Sequence, residues 1–196
     1  MGRKSGGLLV FLALAVLVLP LRWLGAAILA GAVHEACHWG AVRLCGGEVR
    51  RLSAGFSGAE MTVEGLDAGR ELLCALAGPV GGLMLLGLSR FLPRTALCAG
   101  FQSLYNLLPV YPLDGGRALR CLCALVLPGR AGERVCEAVR HFCLAGIGGL
   151  GLYGTLFLHL GLMPLLLAIA IIVRVGGMNG GMNGKIPCKT GAFSVQ

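Results

Sequence analysis

Charge is what this chain has least of. Only 13% of its 196 residues are charged and only 9 are Asp or Glu, against roughly a quarter charged in soluble domains. With 56% of residues hydrophobic, a water-soluble fold of this length could not hide its apolar surface. No Lys/Arg cluster interleaves with aromatics, so the formal net charge of +8 does not point to nucleic acid. It fits basic loops at an anionic lipid surface instead. No CxxC pair occurs among the 9 cysteines, and their odd number argues against a complete disulfide framework. Within apolar segments, where Cys37, Cys74, Cys98 and Cys143 lie, cysteine behaves as a small hydrophobe. There is no inverted repeat of the transporter kind.

What is there is apolar sequence in span-sized blocks, with a mean hydropathy of +0.80. The pattern predicts an all-α polytopic membrane protein with about six transmembrane helices. The expected spans are Leu8–Leu19, Trp23–Leu44, Leu72–Leu88, Thr95–Val110, Phe142–Leu158 and Gly161–Val173. The first has the basic start of a secretory signal, but cleavage near Ala30-Gly31-Ala32 would strip the support from the next helix, so it is read as retained. Between the second and third spans, Leu52, Ala54, Phe56 and then Ala59, Met61, Val63 alternate with polar or small residues. That period of two predicts a small β-hairpin at the membrane surface over residues 48–64, whose exposed edge could pair with an extended peptide. Residues 1–175 form one membrane domain; residues 176–196, with Gly-Gly-Met-Asn twice, read as a disordered Gly-rich tail. Arg130, Arg134 and Arg140 read as a cytoplasmic connection before Phe142, and Arg117 as a further cytoplasmic charge. Of the 17 basic residues, this layout leaves only Arg22, Arg90 and Arg94 outside, which places both termini in the cytoplasm.

One stretch does not fit a passive span. His34-Glu35-Ala36-Cys37-His38 ends a run without charge from Leu24 to Val33. Ionisable groups inside a span are costly and default to function. Residues four apart on a helix point the same way, so His34 and His38 can hold one metal ion, with Glu35 beside it as general base. Two imidazoles and a carboxylate suit zinc, and a catalytic zinc needs a third protein ligand and an open position. No third histidine follows at short spacing. Asp114 is the best candidate, presented near the same depth by the broken segment Asn106-Leu107-Leu108-Pro109-Val110-Tyr111-Pro112-Leu113-Asp114-Gly115-Gly116. Irregular backbone at that depth is tolerated where it lines a polar cavity, although Leu-Asp-Gly-Gly alone would also make an ordinary turn. Asn106 faces the same region, where its amide could bind the substrate backbone or an oxyanion, or simply tie two helices together. His141 and His159 have no partner motif.

The combination of His34-Glu35-x-x-His38 with Asn106-x-x-Pro109 and Leu113-Asp114-Gly115 resembles the site-2 protease family of intramembrane zinc metalloproteases. Ala77-Gly78-Pro79 also resembles that family's third-helix signature. The resemblance covers roughly Leu8 to Val175 and is nearest to the sporulation-type branch. It implies Asp114 as the third zinc ligand, one zinc ion per site, and a multi-pass protein of the cell membrane with its active site towards the cytoplasm. It also implies a membrane-associated protein substrate, for that branch a sporulation sigma-factor precursor, and inhibitory membrane partners. No PDZ-like insertion is present, and a CBS domain is not expected, so regulation by ATP is not implied. The competing reading is a metal-binding or transport protein that does not hydrolyse; metal uptake without cleavage of any substrate would favour it.

Overall fold

The computed structural model describes residues 20–55, 58–128, 130–158, 161–177 and 192–195. The expected first span, Leu8–Leu19, and His159 lie outside them. Helix α1, Leu21–Leu44, starts at Pro20, whose carbonyl accepts the N–H groups of Trp23 and Leu24. It stops at Gly46, where φ is 77°, a conformation that glycine adopts without cost.

Strands β1, Glu48–Gly55, and β2, Gly58–Glu64, pair antiparallel, with Val49 opposite Val63 and Ala54 opposite Ala59. A third strand, β3, Ala192–Val195, lies on the other side of β2, with Phe193 opposite Val63. The composition of residues 176–196 predicts disorder; 178–191 and 196 lie outside the described residues, and β3 departs from that expectation at 192–195 alone. Composition averages over the whole Gly-rich stretch and misses the short run Ala192-Phe193-Ser194-Val195, which carries two strand-favouring residues.

Helix α2, Ala68–Met84, is capped by Asp67, whose side chain accepts from the Arg70 N–H, and a 3-10 turn, Leu85–Leu88, continues it. Helix α3 is Pro93–Asn106, with proline at its first turn, where the missing N–H costs nothing. Helices α4, Asp114–Val126, α5, Arg130–Leu156, and α6, Met163–Gly177, follow. Helix α2 is the hub: it packs against α1, α3 and α4, while α5 and α6 pair with each other and reach the rest through α4.

The packing is inside out by the standard of a soluble protein. The interior is lined by small residues such as Ala26, Ala30, Ala75, Ala96 and Ala99, together with His34, His38, Ser103, Asp114 and Arg117. Large apolar side chains point outward, among them Leu73, Phe101, Leu104, Phe142 and Leu150. Small residues let helices approach closely in lipid, where apolar side chains need no burial. Among the described residues, two helical segments are long and apolar enough to cross a membrane, Ala68–Leu88 and Arg130–Leu156.

Three expectations about helix limits are corrected. The expected span Thr95–Val110 is helical only to Asn106; Leu107–Leu113 is a turn built around two prolines. The span expected to begin at Phe142 is the second half of α5, which runs unbroken from Arg130. Arg130, Arg134 and Arg140 are strong helix formers, and their charge suggested a connection that the backbone does not make. Finally, Gly115-Gly116 does not break a helix. The pair lies in the first turn of α4, against the backbone of Leu107–Tyr111, where any Cβ would overlap the main chain.

Candidate metal centre

Three side chains from two separate parts of the chain converge in the interior. His34 and His38 lie one turn apart on α1, and Asp114 opens α4. Nε2 of His34 is 3.1 Å from Oδ2 of Asp114, Nε2 of His38 is 3.2 Å from the same oxygen, and the two nitrogens are 3.2 Å apart. Their residues are 1%, 0% and 2% exposed, so water does not screen them. Asp114 reaches this point because the Leu107–Leu113 turn brings the chain back after α3. Arg117 N–H then donates to the Leu113 carbonyl to start α4. A carboxylate in the first turn is favoured by the helix dipole.

The donor chemistry tests whether a metal fits. Nδ1 of His38 donates to the Cys74 carbonyl at 2.7 Å, which leaves its Nε2 with a lone pair. The Asn106 amide nitrogen donates to Nε2 of His34 at 3.0 Å, so that nitrogen is an acceptor too. With the Asp114 oxygen, three acceptor atoms converge in a buried space, an arrangement that a cation would satisfy. Ligand atoms about 2.0–2.1 Å from a tetrahedral zinc lie about 3.3 Å from each other, close to the spacings here. Among the described residues, these three form the group that could hold a metal ion.

Glu35 follows His34, rotated about 100° around α1. It is half-buried, and its Oε2 is a buried atom with no hydrogen-bond partner among the described residues. A carboxylate oxygen left open beside a metal site can accept a proton from water.

The chain matches no protein-family model and no curated protein. Against solved structures it aligns with the site-2 protease from Methanocaldococcus jannaschii. The TM-score is 0.61 at 17% identity, covering 91% of this chain and 89% of that one. The fold is similar to that of a site-2 protease. At this identity the likeness concerns architecture, and the chemistry must be argued from this chain's own residues. The architecture carries His34 and His38 on one helix and Asp114 at the start of another, with α2 packed against both helices.

The sequence-derived set His34, Glu35, His38, Asp114 and Asn106 therefore lies in one neighbourhood. Asn106 differs in its contact: its amide meets the His34 nitrogen rather than open space. Two features escaped the sequence reading. The Cys74 carbonyl that orients His38 is a backbone group, and no side-chain pattern announces it. Arg117, counted among cytoplasmic loop charges, is instead only 5% exposed inside α4. Its position three residues after Asp114 was the available signal, because that spacing puts both on one helix face.

Proposed function

We propose that the protein is an intramembrane zinc metalloendopeptidase. The observation that carries this reading is the convergence of His34, His38 and Asp114, with the open carboxylate oxygen of Glu35 beside them. Zinc held by these three would supply Lewis acidity at neutral pH. Glu35 accepts the proton of the attacking water and returns it to the leaving amine. His38 is fixed by the Cys74 carbonyl, so its Nε2 stays aimed at the centre. Asn106 is placed to bind the substrate backbone or the developing oxyanion once it releases His34. The burial of all three ligands keeps bulk water from the reacting bond.

The substrate is a membrane-associated protein whose backbone is extended at the scissile bond, since a helical amide is shielded by its own hydrogen bonds. The chain is multi-pass in the cell membrane, with both termini and the active site towards the cytoplasm; the distribution of basic residues supports that orientation. The β1–β2 pair lies at the membrane surface on the same side. A sporulation sigma-factor precursor is the specific substrate the motif resemblance favours, with inhibitory membrane proteins as further partners. The test is co-expression of the wild type or Glu35→Gln with a candidate precursor. Cleavage by the wild type alone, at equal zinc content, is expected. Full cleavage by Glu35→Gln sinks the mechanism.

A further inference from the structure

The ligand helix α1 and the hub helix α2 meet at a point that the chemistry above leaves unused. His38 donates through Nδ1 to the carbonyl of Cys74, in the interior of α2. A helix carbonyl points along the axis towards the residue four positions later. Any ring that reaches the Cys74 carbonyl must therefore lie against position 78. Position 78 is glycine, and a Cβ built there would overlap the Nε2 edge of the His38 ring, with Cε1 only 2.7 Å away. Both residues are buried, His38 at 0% exposed, so neither has room to retreat. The ring is held at Nδ1 by the Cys74 carbonyl, and its Nε2 packs against Asp114 and His34.

We infer that Gly78 is a positioning residue of the metal centre: its missing side chain forms the slot in α2 that lets the His38 ring reach the Cys74 carbonyl and present Nε2 to a metal. The inference rests on the proposed zinc site for its consequence, but the slot itself is a matter of packing. Gly40, on α1, supplies the control, because a Cβ there meets nothing within 4 Å.

The experiment has two arms on detergent-solubilised full chain. The first titrates Co²⁺ into apo wild type, Gly78→Ala and Gly40→Ala, following the visible spectrum. Gly78→Ala is expected to bind about tenfold or more weakly, the usual cost of disturbing a ligand's supporting contact, while Gly40→Ala binds like wild type. The second measures thermal unfolding with chelator present, comparing Gly78→Ala in the wild-type and His38→Ala backgrounds. The loss in Tm caused by the added methyl is expected to disappear once the ring is gone. Equal Co²⁺ binding by Gly78→Ala, or an equal Tm loss in both backgrounds, overturns the inference. Failure of wild type to bind Co²⁺ would instead refute the zinc site, and the Tm comparison would still decide the slot.

Discussion

Replacing Asp114 by alanine removes the one proposed ligand that does not come from α1. Its Oδ2 lies 3.1 Å from one imidazole nitrogen and 3.2 Å from the other, in a residue only 2% exposed. No other acidic group among the described residues completes a three-residue cluster with His34 and His38. A four-ligand zinc site is worth about 10–16 kcal/mol, so one ligand carries roughly 2.5–4 kcal/mol if the share is even. At about 1.4 kcal/mol per tenfold, zinc affinity should fall by about two to three orders of magnitude. Asp114→Asn keeps the shape and one carbonyl oxygen but loses the charge, and should fall between wild type and alanine. The assay is competition with a chromophoric chelator on purified protein, paired with zinc content after dialysis. Wild-type affinity in Asp114→Ala would refute the assignment of the third ligand and the reasoning built on its convergence with the histidines.

Other outcomes follow from the same geometry. Gly115→Ala sets a methyl against the Leu107 and Leu108 carbonyls, whereas a Cβ at Gly146 meets nothing within 4 Å. The first should destabilise by about 1–3 kcal/mol and the second should stabilise α5 by about 0.5–1 kcal/mol, readable as opposite shifts in thermal unfolding. Stripping zinc with a chelator should lower Tm in the wild type, by the equivalent of about 4 kcal/mol when free zinc had been a thousandfold above Kd. A protein lacking both histidines should show no such shift. Asn106→Ala should keep zinc affinity while cleavage falls about a hundredfold, the usual effect of losing one oxyanion donor. Unchanged cleavage would leave its bond to His34 as a helix tie and nothing more.

The site was legible because its chemistry is local. That histidines four apart share a face follows from helix geometry alone, and an ionisable Glu35 beside them in an apolar helix is costly. Asp114 required more, since nothing in sequence measures the return of the chain through Leu107–Leu113. Its proximity was read from a shared depth and a family resemblance, not from contact. Helix limits were the weaker part. Arg130, Arg134 and Arg140 were read as a connection because charge was weighed above helix propensity, and α5 runs through all three. The reverse error occurred at Gly115-Gly116, read as a break although a tight approach to the Leu107–Tyr111 backbone is what the pair permits. The Cys74 carbonyl and the slot at Gly78 belong to packing between helices, which single-chain periodicity does not report. The strand at Ala192–Val195 depends on β2 as a partner and so has no signature of its own in the composition of the tail.

X-ray absorption at the zinc edge tests whether one zinc ion sits between His34, His38 and Asp114. The chain offers 9 cysteines, and thiolate and imidazole ligands are separable by distance, about 2.3 Å against about 2.0–2.1 Å. On purified protein one zinc per chain is expected, with only nitrogen and oxygen neighbours at the shorter distance, lost in His38→Ala and Asp114→Ala. A sulfur shell at the longer distance, or an unchanged spectrum in those variants, would contradict it.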